Sequence, residues 1–272
     1  MALEAFFLPA CPGRRFALLH LPDGQAVRKG AVVFVPPFAE ELNKSRRMVA
    51  LQSRALAAAG HAVLQVDLLG CGDSSGDFAE ATWESWLADV ELACAWLERR
   101  IADVPLWLWG LRTGCLLAND AANRMSRPVN LLFWQPVLSG KQFLQQFLRL
   151  KLAAELLGGE SKGVIERARS QLRDGQAVEV AGYLLAAALA AGIEKADLLL
   201  PHRSGRVEWL EISGKAEATL SPAAQARLAQ WHAAGQTTRS HLVGGPPFWQ
   251  TSEIAECPEL IETTLDALAG VA

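Results

Sequence analysis

The chain has 272 residues, enough for one large domain with a sizeable core. Hydrophobic residues make up 51% and charged residues 20%, which excludes a disordered polypeptide. A net charge of -3 advertises no basic surface for nucleic acid or an anionic membrane.

From Ala31 onward, short apolar runs alternate with helical patterns. Ala31–Pro36, Ala62–Leu68, Leu106–Trp109 and Val129–Trp134 read as strands buried on both faces. Before them, Glu4–Leu8 and Arg15–Leu21 read as an antiparallel edge, joined to Ala31 through the turn Asp23-Gly24. Helices are predicted over Lys44–Ala59, Thr82–Ile101 and Arg112–Met125, the first closed by Gly60. Ser139 to about Ser204 then reads as helical throughout, an insertion capping one end of the sheet. Its most apolar stretch, Val180 to Ile193, is too short and too alanine-rich to span a bilayer. Alternation resumes with a strand at Val207–Ile212 and a helix capped by Ser221 and opened by Pro222. A last strand, Thr238–Val243, and a last helix, Pro258–Leu268, follow. Repeated strand–helix–strand units require right-handed crossovers, hence a mainly parallel sheet of about eight strands. The expected division is a core of residues 1–138 and 205–272, with a helical cap at 139–204.

Ligands bind such sheets at the carboxyl ends of the strands, so the loops there carry the chemistry. Trp109-Gly110-Leu111-Arg112-Thr113-Gly114 has the spacing of the nucleophile elbow G-x-S-x-G, the mark of an α/β-hydrolase fold. Arg112 holds the nucleophile's place, and an arginine stays protonated and cannot attack. In the loop after Ile212, Glu217 falls at the position of the triad acid, although an exposed loop glutamate looks the same in sequence. In the loop after Val243, Pro247 stands where the histidine is expected, beside Trp249 at the mouth. His241 reads as a core or edge residue of the strand. The loop after Val35 replaces the usual histidine–glycine dipeptide of the oxyanion loop with Pro36-Pro37, leaving the N–H groups of Phe38 and Thr113 as candidate donors. The charge cluster from Glu40 to Arg47 reads as a solvated helix start, with Glu40 beside the pocket. Asp67–Ser74 has the pattern D-x-x-G-x-G-x-S, read as structural. Of nine tryptophans, most fall on core positions. No HxxxH or CxxC spacing occurs, so neither metal nor other cofactor is expected. Five unpatterned cysteines fit reduced thiols, and the amino-terminal stretch lacks the basic and apolar regions of a signal peptide, so a cytoplasmic protein is expected.

The stretches FVPPFAEELNKSRRMVALQSRALA, VDLLGCGDSSGDF, WGLRTGCLLA, WQPVLSGKQFLQQFLRLK and GGPPFWQTSEI run through most of the chain, and it resembles the exosortase A system-associated hydrolase 2 family. The resemblance implies an α/β-hydrolase fold in bacteria that make exopolysaccharide and sort proteins through a PEP-CTERM signal. Three functions remain open on the residues. One is a pocket protein binding a small anionic or acyl ligand near Arg112, Glu217 and Trp249. Another is an ester or thioester hydrolase, or an acyltransferase, whose nucleophile has moved to Ser74, Ser139 or Cys71. The third is a subunit acting with a partner enzyme of the polysaccharide pathway.

Overall fold

The structure, a computed structural model, describes residues 2–23, 29–157, 163–201, 204–215 and 218–270, excluding the side chains of 152–157 and 204. The apolar runs pair into one eight-stranded sheet, ordered β1-β2-β4-β3-β5-β6-β9-β10. Its strands are β1 (Ala2–Pro9), β2 (Arg14–Leu21), β3 (Gly30–Val35), β4 (His61–Val66), β5 (Leu106–Leu111), β6 (Val129–Trp134), β9 (Ser204–Ser213) and β10 (Thr238–Gly244). β2 runs antiparallel to β1 and β4, and every other pairing is parallel. The completely buried strands β3 and β5 are the continuous hydrophobic runs that a doubly covered parallel sheet demands.

Helices cover both faces. α2 (Trp83–Arg100), α3 (Gly114–Arg124) and α7 (Pro222–Ala233) pack into one core, through Leu87, Leu117 and Trp231 among others. α1 (Glu40–Ala58) and α8 (Pro258–Ala269) cover the other face through Met48, Leu56 and Leu260. After β3 the chain crosses through α1 to β4 on one side, and through α2 to β5 on the other. The order therefore reverses between β3 and β5. Val35 pairs with Gly110, so the two loops leaving these strands emerge side by side.

Between β6 and β9 the chain makes an excursion through α4 (Gly140–Leu157), α5 (Val164–Arg173), β7 (Val178–Val180), β8 (Tyr183–Leu185) and α6 (Ala187–Lys195). Its stem is stitched by the Ser139–Asp197 bridge and by Gly140 N–H donating to the Ala196 carbonyl at 2.9 Å. The expectation of an all-helical segment is corrected here. β7 and β8 form a separate two-stranded hairpin, and the stretch from Val180 to Ile193 divides between that hairpin and a short helix. The cause is Ala181-Gly182, both at positive φ (49° and 84°), a backbone that reverses a hairpin in two residues.

Two helix starts also move. α1 begins at Glu40, four residues before the predicted Lys44, and α3 begins at Gly114, because Arg112 lies in the left-handed region.

Candidate functional site

The turn from β5 into α3 is sharp because two glycines allow it. A Cβ on Gly110 would lie 2.6 Å from the Cα of Cys115, and one on Gly114 would lie 2.2 Å from the Val35 carbonyl oxygen. Between them Arg112 adopts φ 56°, which disfavours any residue with a Cβ. Its backbone is held from several sides. Arg112 N–H donates to the Trp134 carbonyl at 3.0 Å, and its carbonyl accepts from Cys115 N–H at 3.1 Å and Val137 N–H at 3.3 Å. The strain is thus imposed by β6 and α3 together, and it lifts the side chain above the sheet.

The arginine meets a carboxylate there. Its Nε–H donates to Glu41 Oε1 at 3.2 Å, with both side chains largely buried. The guanidinium carbon sits 5.5 Å from the ring centroid of Trp249, within reach of cation–π attraction. Arg112, in the turn after β5, thus meets the first turn of α1 and the loop after β10.

Burial raises the Glu41 carboxyl above the ordinary glutamate range, and the positive charge and hydrogen bond of Arg112 offset part of that rise. Glu41 Oε2 and Thr113 Oγ1 are buried without a hydrogen-bond partner among the described residues. Thr113 also begins α3, whose amino-terminal end favours negative charge. The cation, the buried hydroxyl and the helix start come from consecutive residues of this turn, Arg112, Thr113 and Gly114.

Other expected residues are distributed around this centre. Phe38 is buried in an aromatic cluster, with ring centroids 5.0 Å from Phe147, 5.6 Å from Phe143, 5.4 Å from Phe78 and 5.9 Å from Trp86. Trp249 belongs to the core on the opposite face of the sheet and is buried, not open at a mouth. Glu40 is exposed and accepts hydrogen bonds from Tyr183 Oη at 3.1 Å and Asn43 Nδ2 at 3.2 Å, tying α1 to the hairpin. Pro247 lies in the loop after β10, where its carbonyl accepts from Gln250 N–H at 3.0 Å. Glu217 lies outside the described residues. Glu41, which sequence reading passed over in favour of Glu40, is the described partner of Arg112. The overlooked signal was phase: residues 41, 45, 48 and 52 fall on one helical stripe, and Ser45, Met48 and Gln52 on that stripe are buried.

The relocated nucleophiles fare poorly as chemistry. Ser74 Oγ accepts from Phe16 N–H at 2.9 Å and donates to the Asp67 carbonyl at 2.5 Å, so it staples β2 to the Asp67 loop. Burial, with Asp67 and Asp89 nearby, pushes the Cys71 thiol up to about 12, which removes its thiolate at neutral pH. Cys115 is fully buried and likewise raised by burial. Ser139 forms a backbone bridge with Asp197 at the stem of the excursion. His241 Nε2 lies 2.8 Å from the buried Glu208, whose other neighbours are Arg206 and Arg239 at 2.8 Å each. Both arginines also reach the Ala267 carbonyl at the end of α8, so this cluster anchors a helix. Among the described residues no group of histidine, cysteine and carboxylates has metal-binding geometry. No described helix is long and apolar enough to cross a membrane.

No protein-family model and no curated protein matches the chain. Solved structures do. Est1E from Butyrivibrio proteoclasticus, with ferulic acid bound, is similar with a TM-score of 0.69 and 16% identity, over 97% of this chain and 96% of that one. A thermostable carboxyl esterase from Bacillus coagulans, in complex with glycerol, is similar with a TM-score of 0.63 and 13% identity, over 100% and 99%. An alpha-beta serine hydrolase homologue from Coxiella burnetii gives a TM-score of 0.59 and 13% identity, over 98% of both chains. At these identities the likeness is one of architecture, and together with the sheet order it shows that this chain has the α/β-hydrolase fold.

Proposed function

We propose that the protein is a non-hydrolytic pocket protein of α/β-hydrolase fold that binds a small carboxylate-headed or acyl ligand at Arg112. The carrying observation is the Arg112–Glu41 pair at the elbow. Where a hydrolase needs a nucleophile poised for attack, this chain places a permanent cation. The Arg112 Nε–H is committed to Glu41, while no terminal guanidinium nitrogen has a hydrogen bond to a described residue. Those nitrogens, with the start of α3, supply the bidentate recognition that a carboxylate prefers. The apolar part of the ligand would lie toward Phe38, Phe143 and Phe147.

Resemblance to the exosortase-associated family supports a cytoplasmic role beside exopolysaccharide synthesis, as an accessory to an enzyme of that pathway. The ferulic acid of Est1E is itself a carboxylic acid, which makes ferulate and octanoate reasonable probes. Purified protein should hydrolyse p-nitrophenyl butyrate no faster than a denatured control and should remain unlabelled by a fluorophosphonate. Turnover that the fluorophosphonate abolishes would refute the proposal, and the labelled peptide would name the nucleophile.

A further inference from the structure

The helix that supplies Glu41 carries a second feature on its outward face. A cleft of about 390 Å³ runs along α1, and its walls include Lys44, Arg46, Arg47, Leu51, Arg54 and Ile254. Four cations line it and no acid does, on a chain whose net charge is -3. Arg46 lies 3.6 Å from Asp67, and Arg47 pairs with Glu256. Lys44 and Arg54 have no carboxylate partner among the described residues. Ile254, 73% exposed, projects at the rim.

Spacing indicates what this face would recognise. Residues 44, 47, 51 and 54 follow the i, i+3, i+7, i+10 pattern and form one stripe, basic at both ends with a leucine between. Lys44 and Arg54 are separated along the axis by about 15 Å, at ~1.5 Å per residue. One phosphate or one lipid headgroup does not bridge that distance. An extended peptide rises about 3.3 Å per residue and turns alternate side chains to one face, so acidic residues four apart span about 13 Å with an apolar residue midway. We propose that the outward face of α1 is a docking surface for an extended acidic segment of a partner protein. Its carboxylates would pair with Lys44 at one end and Arg54 at the other, and its apolar side chain would pack on Leu51 and Ile254. This does not depend on the reading of Arg112.

The test uses full-length protein and a fluorescein-labelled peptide containing two copies of Glu-Ser-Leu-Ser-Glu, followed by fluorescence anisotropy. Saturable binding at low salt should weaken about tenfold between 50 and 300 mM salt, as expected for screened surface charges. The double variant Lys44→Glu/Arg54→Glu should weaken it at least about tenfold, and Lys44→Ala/Arg54→Ala by an intermediate factor. Matching thermal transitions verify that the variants are folded, and the alanine pair decides if the charge reversal fails to fold. Absence of binding to the wild type, or equal binding by folded variants, would overturn the proposal. So would competition by millimolar inorganic phosphate, or co-sedimentation with phosphatidylserine vesicles when the peptide does not bind, which would assign the face to phosphate chemistry or to a membrane.

Discussion

At the scale of single residues, the Arg112–Glu41 pair makes opposite demands on its members. Glu41 has lost much of its hydration, and one carboxylate oxygen has no described partner. Arg112 faces the positive end of α3, so it too gains from an adjacent negative charge. Removing the arginine strands the carboxylate, which should cost about 1–3 kcal/mol for a lost charged hydrogen bond. The loss must depend on pH. Glu41 is raised above its ordinary value in the fold, so its penalty is absent below the ordinary carboxylate range and grows as pH rises through the raised value. Arg112→Ala raises it further. The melting temperature of Arg112→Ala should therefore fall by about 2–12 °C at neutral pH, at roughly 2–4 °C per kcal/mol, and by clearly less near pH 4.5. Adding Glu41→Gln should recover most of the loss. An equal loss at both pH values would show that the pair carries no such linkage. Sequence made the arginine visible through its flanking glycines, but not its partner. Glu40 and Glu41 are adjacent, and only the phase of α1 separates the inward one from the outward one.

At the scale of elements, α4 closes over Phe38. Phe143 and Phe147 lie four residues apart on one face, a spacing plain in the sequence, and both rings rest edge-on against Phe38. The hairpin β7–β8 secures the excursion through Tyr183, which bonds Glu40 and packs against Phe78. Burial and the Glu40 hydrogen bond push the Tyr183 hydroxyl up to about 12, so it remains a donor across the physiological range. Phe147→Ala should cost about 3 kcal/mol, as a truncated buried aromatic does, and leave space beside Phe38. Octanoate should then bind more tightly than to the wild type, because its chain no longer has to displace a ring. Weaker binding, measured by the ligand-induced rise in melting temperature, would show that Phe147 is part of the binding surface instead. The hairpin itself escaped sequence reading because its strands are only three residues long and continue into an alanine-rich helix. The pair Ala-Gly was the available cue, weaker than Asn-Gly because alanine is rarely found at positive φ.

At the scale of the molecule, the architecture was legible because parallel strands buried on both faces leave apolar runs, unbroken in β3 and β5 and interrupted by Gln65 in β4 and Asn130 in β6. The convergence of two loops follows from the reversal of strand order between β3 and β5, which no local pattern records. It was reached through the spacing of Gly110 and Gly114, whose role is to let α3 approach the end of β3. Function was less legible, since the same fold serves many chemistries. The most direct measurement is a calorimetric titration of octanoate into wild-type protein and Arg112→Met, which keeps the unbranched apolar stem of the side chain and removes its charged head. Saturable one-to-one binding to the wild type is expected, weakened at least about tenfold in the variant by the loss of a charge-assisted hydrogen-bond pair. Equal affinity in the two proteins would contradict this.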